Sequence, residues 1–139
     1  MSKSFALLCD LGYKPAMKRA VVIGSNRGIG LELVRGLVQK DFKVSAVCRK
    51  PSDDLSKVPG IDIKSDVDIR DENALQHLAQ ELGNDTVDLL LVNSGIMKST
   101  TLENFDLLAI REQFEVNSLG PLLATHALLP TLKEAQKLR

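Results

Sequence analysis

Two kinds of hydrophobic pattern alternate along this chain. Short apolar runs rich in β-branched residues predict buried strands, and segments in which apolar residues recur every three or four positions predict amphipathic helices. The predicted strands are 20–23, 43–48, 61–63 and 87–92. The predicted helices are 28–40, 71–82, 101–116 and 118–138. Residues 49–60 contain two prolines and a glycine and predict a loop.

This alternation predicts an α/β fold in which a parallel sheet carries helices on both faces. The pattern begins at Lys18, so residues 18–139 are predicted to form one domain. Residues 1–17 are predicted to be an N-terminal extension, for which the sequence indicates no function. Thr100 followed by Glu103 is typical of a capping box and predicts that the helix 101–116 begins there.

Composition and charge narrow the function classes. The 139 residues include 18 basic and 18 acidic side chains, a balance that argues against a broad basic surface for nucleic acid or for a membrane. The two cysteines and the two histidines are far apart in the sequence, so neither a disulfide framework nor a metal site is predicted. No apolar run reaches the roughly 20 residues of a membrane span. Together these features predict a cytoplasmic protein.

A glycine-rich segment joins the first predicted strand to the first predicted helix. It reads Gly24-Ser25-Asn26-Arg27-Gly28-Ile29-Gly30, a G-x-x-x-G-x-G pattern. Glycines let the chain turn sharply and approach a phosphate, and a helix N-terminus offers free N–H groups to a pyrophosphate. Ser25 and Asn26 are candidates for further hydrogen bonds to phosphate or ribose. We predict a dinucleotide site here, with a plain glycine-rich turn and a methyltransferase-like nucleotide site as alternatives.

The residues after the second predicted strand bear on the choice of dinucleotide. An acidic residue there would accept hydrogen bonds from the ribose of NAD(H). This chain instead has Cys48-Arg49-Lys50, and Arg27 lies in the glycine turn. The guanidinium groups of Arg27 and Arg49 suit a 2′-phosphate, so NADP(H) is predicted over NAD(H). The alternative is that Arg49 and Lys50 are ordinary solvated loop charges.

Three further motifs follow the glycine turn. They are Asp66-Val67 after the third predicted strand, Val92-Asn93-Ser94-Gly95 after the fourth, and Asn117 between the last two helices. In order and spacing, the four motifs resemble those of the short-chain dehydrogenases/reductases, most closely NADP(H)-preferring carbonyl-reductase or C-factor-like members. Two positions depart from the family pattern: Ile23 stands where a Thr precedes the first glycine, and Val92 replaces the first Asn of N-N-A-G.

The resemblance implies a Rossmann-like doubly wound sheet and hydride transfer between NAD(P)(H) and a carbonyl or alcohol. It implies that residues 24–30 hold the cofactor phosphates and that Asp66 and Val67 contact the adenine. It further implies that Asn93, Ser94 and Gly95 line the cofactor channel, and that Asn117 is the active-site Asn that helps to hold a proton-relay water. Asp66 as a simple loop acid, and Asn117 as only the N-cap of the last helix, are the alternatives.

The resemblance also implies a catalytic Ser and a Tyr-x-x-x-Lys pair. The single tyrosine is Tyr13, and Met17 stands four residues after it. We therefore expect a truncated chain, the cofactor-binding half of a reductase whose carbonyl or alcohol substrate binds only when the chain is completed. The alternative is a non-catalytic nucleotide-binding or regulatory module, so the sequence leaves open whether the chain is an enzyme.

By the same resemblance, the sheet is expected to be incomplete, with about four strands in the order 3-2-1-4. The aliphatic strand 87–92 would then lie at an open edge. Unpaired aliphatic edges pair readily with other chains, so self-association through this edge is predicted.

Overall fold

A computed structural model describes residues 17–137 and the side chains of residues 17–132. The predicted N-terminal extension, apart from Met17, lies outside the described residues. The strands are β1 (Arg19–Ile23), β2 (Lys43–Val47), β3 (Asp62–Lys64) and β4 (Leu89–Val92). The helices are α1 (Gly28–Gln39), α2 (Asp53–Ser56), α3 (Glu72–Leu82), α4 (Leu107–Phe114) and α5 (Gly120–Lys137).

The four strands form one parallel sheet in the order β3-β2-β1-β4. This confirms the predicted α/β class, the Rossmann-like architecture and the 3-2-1-4 order. Each strand after the first in the chain is reached through a crossover, which places helices over both faces of the sheet. The carboxyl ends of all four strands therefore meet at one edge of the molecule.

Alternation along β1 divides the apolar core into two layers. Val21 and Ile23 pack with α3 and α5 on one face of the sheet. Ala20 and Val22 pack with α1 and α2 on the other face. All four of these side chains are at most 1% exposed, as expected for a central parallel strand that is covered on both sides.

The predicted loop 49–60 contains a short helical turn, which the sequence analysis missed. Ser52 is the N-cap of α2, since its hydroxyl oxygen accepts a hydrogen bond from Leu55 N at 3.2 Å. Leu55 is fully buried against the α1 side of the sheet. The capping serine and one buried leucine are sufficient to order this turn despite the prolines on either side.

The predicted start of the helix 101–116 is wrong. Helix α4 begins at Leu107, and Asp106 is its N-cap, accepting a hydrogen bond from Ala109 N at 3.0 Å. The Thr100 hydroxyl instead donates to Asn104 O and accepts from Asp106 N, both at 3.0 Å. The capping-box pattern therefore stabilises a turn in front of the helix.

The last two predicted helices form one continuous helical segment. Helix α4 passes into a π-helical turn, Glu115–Leu119, which leads directly into α5. Asn117 lies inside this turn and is not the N-cap of a separate helix, so that alternative is wrong. Within residues 17–137, no helix is both long and apolar enough to span a membrane.

Candidate functional site

A cavity of about 880 Å³ opens at the carboxyl ends of the strands. Its walls come from the segments that follow β1, β2, β3 and β4, together with residues of α4 and the π turn. The predicted site residues that line it are Gly24, Asn26, Arg27, Gly28, Ile29, Arg49, Val67, Asn93, Ser94 and Gly95. Ser25, Gly30, Asp66 and Asn117 do not line it. The size and position are those of a typical ligand site in an open α/β sheet.

Two of the glycines in the turn after β1 are required by close backbone packing. A Cβ at Gly24 would lie 2.6 Å from Ser94 N, and Gly24 also has a φ of +83°. A Cβ at Gly30 would lie 1.9 Å from Gly24 O. The start of α1 is therefore pressed against the turn, and the turn against the segment after β4.

Gly28 serves a different purpose, because it faces open space. Its φ is +54°, and a Cβ built there would meet no atom within 4 Å. Gly28 lines the cavity and begins α1, and the first N–H groups of a helix have no partner within that helix. The open side of Gly28 therefore leaves room for a ligand phosphate to approach helix N–H groups.

Ser25 and Asn26 hold the turn in place through bonds inside the protein. Ser25 is fully buried, and its hydroxyl donates to Val47 O at 3.0 Å. Asn26 binds Ser52 twice: Ser52 N donates to Asn26 Oδ1 at 2.5 Å, and the Ser52 hydroxyl donates to Asn26 O at 2.7 Å. The turn is thus bonded to the end of β2 and to the N-terminus of α2.

Cations line the cavity in the turn after β1 and in the segment after β2. They are Arg27 in the turn and Arg49 and Lys50 in the segment, and all three are exposed. The first residue after β2, Cys48, also lines the cavity but is only 4% exposed. Burial, followed by the charge of Asp66, raises the pKa of the Cys48 thiol, so it is a protonated, apolar part of the floor and not a nucleophile.

The acidic residue that faces the cavity after β3 is Asp68. Asp66 is exposed, has a φ of +62°, and accepts a hydrogen bond from the Ser65 hydroxyl at 2.8 Å. Asp68 and Ile69, two residues further on, both line the cavity. Sequence analysis named Asp66-Val67 instead, because the resemblance to the family pattern pointed to that pair. The signal was present, since Asp68-Ile69 is a second acidic-aliphatic pair.

Asp68 is held in place by Arg70. Nε and Nη2 of Arg70 donate to the two carboxylate oxygens at 3.0 and 2.7 Å, and the backbone N of Arg70 donates to Oδ1 at 2.9 Å. The Arg70 hydrogen bond is the main cause that lowers the pKa of Asp68 to about 2. Asp68 therefore presents an oriented carboxylate to the cavity at all physiological pH values.

A chain of charges continues from this pair across the cavity wall to α4. Arg70 Nη1 lies 3.6 Å from Glu112 Oε1, and Glu112 also forms an ion pair with Lys98. The hydrogen bond from Lys98 lowers the pKa of the Glu112 carboxyl. These contacts tie the segments after β3 and β4 to α4. They connect exposed groups, so each contributes little stability by itself.

The segment after β4 is fixed by two asparagines. Asn93 N donates to Ile23 O at 2.8 Å, and Asn93 Nδ2 lies 3.5 Å from Gly24 O. Asn117 reaches from the π turn to Ile96, accepting from Ile96 N at 2.9 Å and donating to Ile96 O at 2.8 Å. The Asn117 side chain therefore positions the backbone of this cavity wall.

Within residues 17–137, no group of three or more potential ligands is arranged for a metal ion.

Comparison with known proteins agrees with this architecture. The family model for short chain dehydrogenase matches residues 18–138. The chain is 31% identical over 123 residues to 1-hydroxy-2-glutathionyl-2-methyl-3-butene dehydrogenase of Rhodococcus sp. (strain AD45), covering 87% of this chain and 54% of that protein. It is 30% identical over 141 residues to retinol dehydrogenase 11 of Mus musculus, covering 92% of this chain and 43% of that protein.

Solved structures give the same result. NADPH-bound carbonyl reductase from chicken fatty liver superposes with a TM-score of 0.77 at 30% identity, covering 91% of this chain and 52% of that one. The putative carbonyl reductase Sniffer of Caenorhabditis elegans superposes with a TM-score of 0.80 at 28% identity, covering 90% and 57%. This chain thus spans about half the length of these relatives. On the family match, the fold and the glycine turn, the chain belongs to the short-chain dehydrogenase family.

Proposed function

We propose that this chain binds NADP(H) as part of an oxidoreductase that transfers hydride between the nicotinamide and a carbonyl or alcohol carbon. The observation that carries the proposal is the cavity wall formed by the open Gly28, the N-terminus of α1 and the cations Arg27 and Arg49. When bound, the cofactor supplies or accepts the hydride. The residues of this chain bind it, orient it and exclude water from part of it.

Three features of the cavity suit a dinucleotide: its volume, the glycine turn that would hold the pyrophosphate, and the acidic residue that would bind the adenine. At about 880 Å³ it is large enough for a ligand of that size. The turn at Gly28 and Ile29 offers backbone N–H groups and the positive end of the helix dipole to a pyrophosphate. Asp68, with Val67 and Ile69 beside it, is suited to accept a hydrogen bond from the exocyclic amine of adenine.

The cations at the end of β2 support NADP(H) in preference to NAD(H). No acidic residue follows β2 where a ribose diol would be bound, since the chain continues Cys48-Arg49-Lys50. Two guanidinium groups can each make charged hydrogen bonds to a 2′-phosphate. The NADPH-bound carbonyl reductase from chicken is a relative with 30% identity, which adds support by analogy.

The segment after β4 is the proposed wall beside the nicotinamide. Asn93, Ser94 and Gly95 line the cavity there, and Asn117 fixes Ile96 next to them. We propose that Asn117 acts through this contact with Ile96. Its resemblance to the family's active-site Asn is the second ground for this proposal. Its role depends on a proton donor that this sequence does not contain as a Tyr-x-x-x-Lys pair.

That missing pair also favours a second candidate, a nucleotide-binding or regulatory module without catalysis of its own. The two candidates make different predictions for the 139-residue chain. We expect NADPH binding without carbonyl reduction, because no tyrosine-lysine pair is present to protonate the substrate oxygen. Sustained NADPH oxidation with a carbonyl substrate would contradict this account of the proton donor.

We also propose that the chain associates with itself through β4. This strand lies at the edge of the sheet and reads Leu89-Leu90-Leu91-Val92, without a charge or a proline. Strand edges of this composition lack the usual protection against pairing with another chain.

The first test is a titration of the chain with NADPH and with NADH, followed by the change in nicotinamide fluorescence. We expect NADPH to bind more tightly. Replacing Arg49→Ala should weaken NADPH binding roughly tenfold or more, because a charged hydrogen bond is lost, and should leave NADH binding nearly unchanged. Arg27→Ala should behave in the same way.

A matched control is available on α1. Arg35 is exposed, forms an ion pair with Glu32 and does not line the cavity, so Arg35→Ala should not alter either affinity. If a folded wild-type chain binds neither nucleotide, the proposed function is wrong. Equal losses of NADPH and NADH affinity in the Arg49 variant would refute the 2′-phosphate assignment alone.

A further inference from the structure

The segment that carries Arg49 and Lys50 is bonded at its first end to the strand beside it. Cys48 N donates to Lys64 O at 2.9 Å, and Asp66 N donates to Arg49 O at 2.9 Å. Val67 N donates to Cys48 O at 3.2 Å. These backbone bonds extend the β2–β3 pairing past the end of the strands and fix where the segment leaves the sheet.

The second end of the segment is bonded to the glycine turn through Ser52. Both the backbone N and the hydroxyl of Ser52 donate to Asn26, at 2.5 and 2.7 Å. Asn26 directly precedes Arg27. Ser52 follows the cationic segment, residues 49–51, and is therefore joined to Asn26, the residue before Arg27.

Ser52 can hold this joint because it is itself anchored. Its hydroxyl oxygen accepts from Leu55 N at 3.2 Å, and its carbonyl accepts from Ser56 N at 3.0 Å. Leu55 is fully buried in the core on the α1 face. The joint between Ser52 and Asn26 thus connects the glycine turn to the packed interior.

The segment between the two anchored ends is short and stiff. Only Lys50 and Pro51 separate Arg49 from Ser52. Proline restricts its own backbone and that of the residue before it. With both ends bonded, the position of the Arg49 backbone relative to Arg27 is determined before any ligand binds.

We propose that Ser52 is a positioning residue for the NADP(H) selectivity of this site. Ser52 does not line the cavity, so it acts through Asn26 and the cationic segment. In this proposal its bonds fix the backbone of Arg49 relative to that of Arg27, so that both guanidinium groups are available to one 2′-phosphate. A preordered segment saves the entropy that a loose one would lose on binding. The proposal rests on the proposed function.

The selectivity test compares Ser52→Ala with the wild type, using NADPH and NADH and then adenosine 2′,5′-bisphosphate and ADP. We expect Ser52→Ala to weaken both 2′-phosphate ligands roughly three- to tenfold, because the hydroxyl that donates to Asn26 O and accepts from Leu55 N is lost. NADH and ADP should change less than about twofold, since neither depends on the cationic segment.

Two further variants separate positioning from general damage. Ser52→Thr keeps a hydroxyl at the same place and should restore the NADPH affinity. Ser56→Ala removes a hydroxyl from the same helical turn, where it donates to Ser52 O at 2.9 Å, and leaves both bonds to Asn26 intact. The Ser56 variant should retain wild-type selectivity.

A second readout needs no nucleotide. Trypsin cuts after Arg49 but not between Lys50 and Pro51, so mass spectrometry can follow cleavage of this one bond in the native protein. Native-state cleavage reports the population of locally opened segments. We expect faster cleavage after Arg49 in Ser52→Ala, and wild-type rates in Ser52→Thr and Ser56→Ala.

The outcomes separate this inference from the proposed function. If Ser52→Ala weakens NADPH and NADH equally, Ser52 is merely structural and the inference is wrong. If the Arg49 cleavage rate does not change in Ser52→Ala, the Ser52 hydroxyl does not hold the segment through Asn26 O, which also overturns the inference. If wild-type chain binds no NADPH, the proposed function fails and the selectivity role with it, even where the cleavage result shows that Ser52 orders the segment.

Discussion

The three glycines of the turn after β1 satisfy different physical demands. Gly24 and Gly30 are needed because backbone atoms lie where their Cβ atoms would be, and Gly28 is needed where the backbone has a positive φ and an open side. Gly36, in the middle of α1, has no neighbour within 4 Å of a Cβ built there and no positive φ. The chain therefore contains a test of what close packing contributes at a single residue.

We expect Gly30→Ala to destabilise the fold by more than about 3 kcal/mol, because its Cβ would overlap Gly24 O and only a backbone shift could relieve the overlap. Gly36→Ala should instead stabilise α1 by roughly 0.5–1 kcal/mol, since alanine loses less backbone entropy than glycine. Urea unfolding of the two variants beside the wild type measures both effects. A Gly30→Ala protein as stable as the wild type would contradict the packing described for this turn.

The pair Asp68 and Arg70 makes stability depend on pH in acid. The folded-state pKa of Asp68 is about 2, below the value of roughly 3.9 for an unperturbed Asp. The pair therefore contributes its full stability above about pH 4 and loses it as the pH falls toward 2. The difference in the free energy of unfolding between wild type and Asp68→Asn should be constant above pH 5 and shrink below pH 4.

Arg70→Gln is the matched variant for this prediction. It keeps Asp68 but removes the guanidinium that lowers the pKa of that carboxyl. The difference in the free energy of unfolding between Arg70→Gln and the double variant Arg70→Gln/Asp68→Asn should therefore show little pH dependence in this range. An NMR titration of the Asp68 carboxyl gives the same information directly. A wild-type midpoint near 4 would show that Arg70 does not hold the carboxylate as described.

The glycines and arginines that line the cavity could be predicted from the sequence, because their chemistry follows from residue type. The resemblance pointed to Asp66-Val67. In the structure Asp68 lines the cavity and Asp66, which has a positive φ, does not, and residue type alone does not reveal that difference. Sequence analysis also did not anticipate that Ser25 and Asn26 would bond to Val47 and Ser52, since such contacts depend on tertiary packing.

Elements with a clear period were predicted closely, and the helical segment from Leu107 to Lys137 was not. Sequence analysis placed a boundary between two helices at residue 117. In the structure, Gly120 is needed because a Cβ there would lie 2.9 Å from the Ile69 side chain. The π turn before it shifts the helical period, which brings Asn117 to Ile96, and no pattern of apolar residues reveals such an insertion.

The two edge strands of the sheet differ in a way that predicts association. Strand β3 has three residues, two of them the charged Asp62 and Lys64, whereas β4 is entirely aliphatic. Short charged edges resist pairing and aliphatic ones do not. We expect the light-scattering mass to rise with protein concentration, and amide exchange within Leu89–Val92 to slow with it.

The amides of β3 provide the internal control for that experiment. Their exchange should not depend on concentration, because their edge is protected by charge. A constant monomer mass over a wide concentration range would refute self-association. If amide exchange slowed with concentration at β3 and not at β4, the chain would associate through β3, and the proposal would be wrong.

In the molecule as a whole, the site is assembled where the carboxyl ends of the strands meet α4 and the π turn. The segments after all four strands contribute to a single cavity, as in other open α/β sheets. Contacts between distant segments hold the site together, such as Gly24 against Ser94, Asn26 with Ser52, and Asn117 with Ile96. The site is therefore as much a property of the topology as of its individual residues.

A cavity lined by the segments after all four strands links the concentration of its ligand to the lifetime of the polypeptide. A molecule that touches all four segments binds the folded chain and not the unfolded one, so saturation at a hundred times its dissociation constant adds about 2.7 kcal/mol to the folding free energy. The opened form that proteases attack would become about a hundred times rarer. The cellular level of the proposed nucleotide ligand would thereby influence how long each copy of this chain persists before it is degraded.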